Sequence, residues 1–163
     1  QGATSIWERW DGWTPEKGFQ TPEMNSFAHY SFGAVAQWMF ATIGGLDTQG
    51  PGFAHLVIHP RPGGKLTWAK TAYDSIRGPI KSDWKIETNR FQFNLTIPAN
   101  TTATVYLPAS DPASVLEGGR PLAQSQGVEI AGVQGGDLAL EAGGGEYTFD
   151  LPFAADRMAT LKP

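Results

Sequence analysis

The chain has no cysteine in its 163 residues. That absence excludes disulfide frameworks, Cys-ligated zinc, iron–sulfur clusters and thiol nucleophiles together. No apolar run approaches the roughly 18 residues a membrane-spanning helix requires. Positive charge is scarce, 12 Lys+Arg against 16 Asp+Glu for a net of −4. A nucleic-acid partner, which would need a basic stripe, is therefore not expected. The opening QGATSIWERW lacks the basic-then-apolar plan of a signal peptide and reads as the interior of a longer gene product. None of these absences fixes a compartment.

What is present is turn chemistry and tryptophan: Gly 20, Pro 12 and Trp 6. Trp7, Trp10 and Trp13 crowd the start, Trp38 follows, and Trp68 and Trp84 complete the set. Residues 1–24 have no steady period and are punctuated by Pro15, Gly18 and Pro22, which predicts an irregular loop. Asn25-Ser26 offers an N-cap to a helix over Phe27–Ile43, apolar on nearly every side and closed by Gly44-Gly45. Such a helix is built to be buried. The sequence predicts that its neighbours lie outside this chain, so that Trp38, Met39 and Phe40 are left open to self-association or to refolding against the following domain.

Beyond Gly50 the pattern changes to short β runs. His55–His59, Lys65–Tyr73, Lys81–Thr88, Arg90–Ile97, Thr101–Leu107, Val115-Leu116, Val128–Val133, Leu138–Glu141 and Tyr147–Leu151 predict an antiparallel β-sandwich. Gly118-Gly119, Gly135-Gly136 and Gly143-Gly144-Gly145 are expected as hairpin turns. The residues after Pro152 show no pattern and are expected to be peripheral.

The sharpest chemical signal is Trp7-Glu8-Arg9-Trp10-Asp11-Gly12-Trp13. Indole faces stack on the C–H face of a pyranose, and a carboxylate among them can act as acid, base or nucleophile in glycoside cleavage. The alternative is that the tryptophans anchor a loop and Glu8 pairs with Arg9 or Arg61. His55 and His59 would stand about 13 Å apart along a strand, too far for one ion, and are expected as structural polar groups. Trp68 and Trp84 could form a sugar platform on the sandwich, but core positions are the expected role. Asn94-Leu95-Thr96 and Asn100-Thr101-Thr102 are formal glycosylation sequons to which little weight attaches. The run at Gly143 leads into a strand, so a phosphate-binding loop is not supported. No metal site and no cofactor is expected.

The blocks TSIWERWDGW, GFQTPEMNSFAHYSFGAVAQWMF, GPGFAHLVIHPRPGG, LTWAKTAYDS and IPANTTATVYLP, in this order and spacing, resemble the C-terminal end of bacterial-type α-L-rhamnosidases, glycoside hydrolase family 78. The resemblance covers about residue 3 to about residue 152. It implies a mainly β chain: an antiparallel β-sandwich at 50–152, preceded at 1–46 by a loop and one helix left from an (α/α)6 barrel, and a tail at 153–163. It also implies hydrolysis of terminal α-L-rhamnosides with inversion, Glu8 being the general base. His29, in Asn25-Ser26-Phe27-Ala28-His29-Tyr30, matches a position that contacts the sugar hydroxyls. Trp7, Trp10 and Trp13 would supply the apolar wall. The general-acid motif and most of the barrel are absent from these residues, so the isolated chain is expected to be inactive. Its partners would be rhamnose-containing glycosides and the missing catalytic barrel of the same polypeptide. A free-standing carbohydrate-binding or structural sandwich is the alternative.

Overall fold

Phe91, Phe93, Leu95 and Ile97 alternate with polar residues, and Arg90–Ile97 accordingly forms a strand with all four side chains buried. The same period organises the rest of a sandwich in a computed structural model that describes residues 2–154, 157 and 158. The chain divides into two compact units, Gln1–Trp38 and Met39–Pro163.

The first unit is mostly irregular. It carries a two-stranded ribbon, β1 (Trp13–Thr14) and β2 (Gly18–Phe19), and 3-10 turns at Pro22–Met24 and Tyr30–Gly33. A short helix α1 (Ala34–Trp38) ends it. The expected helix from Phe27 is thus cut back. Asn25 and Ser26 are not its cap, because residues 26–29 run beside residues 6–8 instead: the Glu8 amide donates to Ser26 O (2.8 Å) and the His29 amide to Ile6 O (2.8 Å). These long-range bonds compete with helix for the same backbone. His29 takes the N-cap position of the Tyr30 turn without a side-chain cap. Val35 and Trp38 are exposed, as expected for an apolar helix short of neighbours.

The second unit opens with a π-helical turn, Met39–Ile43, followed by β3 (Leu46–Thr48), β4 (His55–Ile58), β5 (Trp68–Ser75), β6 (Gly78–Glu87) and β7 (Arg90–Ile97). Then come β8 (Thr102–Leu107), β9 (Leu116–Glu117), β10 (Arg120–Pro121), β11 (Val128–Gln134), β12 (Asp137–Ala142) and β13 (Gly145–Pro152). One sheet has six strands in the order β10-β9-β13-β7-β6-β5, the other five in the order β11-β12-β8-β4-β3. Between them lies a core of Phe91, Phe93, Phe149, Trp84, Leu56, Ile58, Val105, Leu107, Leu138 and Leu140, all at most 2% exposed. At about 25 cal/mol per Å² of apolar surface removed from water, these side chains dominate the folding energy.

Four features depart from the expected arrangement. β4 and β8 pair in parallel, His55 opposite Thr102 and Ile58 opposite Val105, because three strands of the other sheet intervene in the chain. Gly143-Gly144 is no hairpin turn: β12 and β13 belong to different sheets, and this stretch carries the chain across. A side chain at Gly144 would press on Pro98 O and Ala99 Cα, so the crossover needs its glycine. Tyr147 fastens it, its hydroxyl donating to Gly143 O at 2.9 Å. Burial, and then the nearby Glu117, push the Tyr147 pKa up. Trp68 is 62% exposed, because it sits on the outward face of the edge strand β5. Trp84, at 2%, does take the expected core role. Finally, Phe153 is part of the core and stacks on Phe91 at 5.9 Å, while its amide donates to Asn89 O. Most of the remaining expected tail lies outside the described residues.

The π-helical turn is tied firmly to the strands. Trp84 Nε1 donates to Ile43 O (2.7 Å), the Ser82 hydroxyl to Gly44 O, the His59 amide to Gly45 O (2.8 Å) and the Arg61 amide to Thr42 O (3.1 Å). Successive carbonyls left over at the end of a helix are thereby satisfied. Gly45 makes the turn with φ +66°, and any Cβ there would overlap the His59–Pro60 backbone. Gly45→Ala is expected to cost more than about 2 kcal/mol, the left-handed strain plus the overlap. Urea unfolding checks this, and an unchanged midpoint would mean that Pro60 moves aside freely.

Candidate functional site

The segment pairing in the first unit brings together residues 18 or more positions apart. Ser26 N donates to Glu8 Oε2 at 3.1 Å while the Glu8 amide donates back to Ser26 O, so both ends of Glu8 are held. The Ser5 hydroxyl donates to Phe27 O and extends the same seam. His29 Nδ1 then stands 3.9 Å from Glu8 Oε2, both side chains being mostly covered. The His29 ring packs against Phe32 at 4.8 Å. Trp7 is set edge-on against Phe27, ring centroids 4.8 Å apart.

Glu8 lines an open cleft of about 640 Å³ together with Ala3, Ser5, Ile6, Trp7, Arg9, Trp10 and Phe32. Trp10 is 99% exposed. A carboxylate between two indoles, one immobilised and one free to lie against a ligand, suits an apolar and hydroxylated molecule such as a sugar. Arg9 does not neutralise Glu8. Its guanidinium forks onto Asp11, with Nε to Oδ1 at 2.6 Å and Nη2 to Oδ2 at 2.9 Å. That hydrogen-bonded pair raises the Arg9 pKa and lowers that of Asp11. Arg61 belongs to the second unit, where its amide bonds Thr42 O.

Of the residues singled out in the sequence, Trp7, Glu8 and Trp10 meet in the cleft and His29 lies beside Glu8. Trp13 does not line it: it sits on β1 opposite Phe19 of the ribbon. Phe32 and Ser5 are cleft residues that sequence reasoning misses. In the sequence Phe32 is one flank of a continuous apolar helix, and only the break at His29 turns it toward Glu8.

The two other histidines serve the sandwich. His55 Nδ1 and Nε2 lie 2.8 and 2.9 Å from the hydroxyls of Thr102 and Thr104, and Thr104 donates on to Glu141. His59 Nε2 meets Asp137 Oδ2 at 2.9 Å and stacks on Tyr106. Among the described residues no group of three or more His, Asp or Glu could hold a metal ion. Nor is any described helix long and apolar enough to cross a membrane.

A loop-borne carboxylate among tryptophans precedes, in the chain, a helical turn and a mainly antiparallel sandwich. Comparison with known proteins assigns this order to a family. Residues 1–43 match the sequence model of the bacterial alpha-L-rhamnosidase 6 hairpin glycosidase domain, and residues 45–120 that of the bacterial alpha-L-rhamnosidase C-terminal domain. The chain belongs to the bacterial α-L-rhamnosidase family, of which it is a C-terminal portion.

An alpha-L-rhamnosidase of Streptomyces avermitilis is 39% identical over 151 residues, which is 93% of this chain and 14% of that protein. One from Formosa agariphila is 29% identical, covering 94% of this chain and 17% of its own length. The chain thus spans about one-seventh to one-sixth of these relatives. The crystal structure of the Streptomyces avermitilis alpha-L-rhamnosidase complexed with L-rhamnose superposes on 92% of this chain and 14% of that one, with TM-score 0.73 and 38% identity. The alpha-L-rhamnosidase of Dictyoglumus thermophilum superposes on 93% of this chain and 16% of that one, with TM-score 0.68 and 29% identity.

The exposures predict an order of chemical attack. Limited N-bromosuccinimide oxidation of this chain, mapped by peptide mass, is expected to modify Trp10 first, Trp68 next and Trp84 last (99%, 62% and 2% exposed). Early loss of Trp84 would contradict the packing of the sandwich.

Proposed function

We propose that the polypeptide carrying this chain hydrolyses terminal α-L-rhamnosides with inversion, and that Glu8 is its general base. The observation that carries the proposal is the fixed Glu8 carboxylate in the tryptophan-walled cleft. Ser26 N bonds Oε2, and Oε1 is the oxygen left to hold a water molecule. In an inverting reaction that water attacks the anomeric carbon as Glu8 takes its proton, while a second carboxyl group, as acid, protonates the departing glycosidic oxygen. The two carboxyls must stand roughly 6.5–9.5 Å apart to admit the water. The acid belongs to the part of the glycosidase domain outside this chain, so these residues alone do not turn over substrate.

His29, beside Glu8, is assigned to the sugar hydroxyls. Trp7 and Trp10 are assigned to the apolar side of the ring and its C6 methyl group. Trp13 supports the loop from the ribbon. The sandwich at 50–152 is assigned a bracing role rather than a sugar-binding one: of the two tryptophans that could form a platform, Trp84 is buried with Phe91, Phe93 and Phe149 in the core, which leaves Trp68 exposed without a second indole.

In the full-length polypeptide, Glu8→Gln should lower kcat roughly 10²–10⁴-fold with little change in KM, because only proton removal from water is lost. An unchanged kcat on an aryl α-L-rhamnoside would remove Glu8 from the role. His29→Ala should chiefly raise KM, as loss of a hydroxyl contact does. A KM equal to that of the unsubstituted enzyme would reject that assignment.

A further inference from the structure

The Glu8 carboxylate is followed directly by an arginine, and Arg9 lines the same cleft. A guanidinium next to a base is an obstacle. It draws the carboxylate into an ion pair, occupies the oxygen that has to hold water, and lowers the basicity of the group. The groups able to carry positive charge around Glu8 are His29, whose Nδ1 stands 3.9 Å from Oε2, and Arg9.

Asp11 removes the obstacle. The Gly12 amide donates to Arg9 O at 3.2 Å and closes a turn over Arg9–Gly12, while the Gln20 amide donates to Gly12 O at 3.0 Å and ties the turn to the ribbon. The turn folds Asp11 back on Arg9, whose Nε and Nη2 donate to Oδ1 and Oδ2 at 2.6 and 2.9 Å. The two side chains are 33% and 60% exposed, and an exposed pair of this kind adds little to stability. What it fixes is direction, because one edge of the planar guanidinium is spent on Asp11. The hydrogen bond to Asp11 is the first cause of the raised Arg9 pKa, and the charge of Glu8 raises it further. Arg9 therefore lies within electrostatic reach of a carboxylate it does not bind. Lys17 adds a weaker attraction to Asp11.

We propose that Asp11 is a positioning residue of the catalytic centre: by clamping Arg9 at two points it keeps the guanidinium off Glu8 and leaves Oε1 to the water. The proposal rests on the reading of Glu8 as general base and deepens it. In Glu8-Arg9-Trp10-Asp11 the second carboxylate serves the first. The clamped pair brings no net charge to the cleft, so the base works beside His29 without an added cation.

The test is the pH dependence of kcat/KM on an aryl α-L-rhamnoside in the full-length polypeptide, where the acid limb reports ionisation of the base. Asp11→Asn keeps the size of the side chain and releases Arg9. Its kcat should fall roughly tenfold or more, and the acid limb should move to lower pH, since a cation at Glu8 favours the ionised form. Adding Arg9→Met to Asp11→Asn restores the charge balance and should recover most of kcat and return the limb. Asp11→Glu, which keeps the carboxylate, should be less impaired than Asp11→Asn. A loss in Asp11→Asn that Arg9→Met does not relieve overturns the proposal, because it marks the pair as a structural clasp of the loop. An acid limb that stays in place, or a kcat in Asp11→Asn equal to that of the unsubstituted enzyme, overturns it as well. Glu8→Gln is measured alongside. If its kcat is unchanged, the general-base reading fails and the proposal with it; a large loss there with no effect in Asp11→Asn removes the proposal alone.

Discussion

At the end of a helix the last carbonyls have no partner within the helix, and burying them bare costs about 1–3 kcal/mol apiece. This chain meets that constraint with donors from the sandwich. Trp84 supplies an indole N–H to Ile43 O, Ser82 a hydroxyl to Gly44 O, and the amides of His59 and Arg61 reach Gly45 O and Thr42 O. Everything downstream depends on this seam. It accounts for a fully buried serine in an apolar core, a core tryptophan with a satisfied N–H, and a glycine in left-handed conformation against Pro60. It also accounts for the structural division at Trp38 and Met39 preceding the change of family match after residue 43: the last helical turn is packed as part of the sandwich.

The candidate site follows a different logic. It is made by a loop, and its geometry comes from a short ladder of main-chain bonds between residues 6–8 and 26–29. Those bonds fix Glu8 and bring His29 alongside, while the Arg9–Asp11 pair takes up the neighbouring charges and leaves the Glu8 carboxylate unpaired with Arg9. On the reading proposed above, the arrangement supplies one carboxyl group of the two that glycoside cleavage requires.

The strands of the sandwich are legible in the sequence because a strict period of two is what a half-buried strand produces and a helix does not: Arg90–Ile97 can be bounded to the residue. Short elements without alternation escape, among them Leu46–Thr48 and Arg120–Pro121. The helix reads too long because Phe27 and Tyr30 continue its apolar stripe, and periodicity carries no information about the amide of His29 bonding to Ile6 O. Trp68 and Trp84 look alike in sequence, each in an alternating run. Only the register, which sets Trp84 opposite Ala69 and Trp68 opposite Lys85 so that the two indoles point to opposite faces of the sheet, separates an exposed indole from a buried one. Glu8 and His29 are legible as a family pattern. Phe32 and the Ser26 amide are not, since their places depend on the local break in helix.

The parallel pairing of β4 with β8 bears on how the domain forms. β3 and β4 make a hairpin that lacks its inner neighbour until β8 has been made, and β5, β6 and β7 must first be laid into the opposite sheet. Contacts between residues so far apart in the chain are slow to close. During synthesis the strands directly following the helical seam would therefore be the first of the sandwich to emerge and among the later ones to settle, leaving the helical turn to wait for the middle of the sandwich.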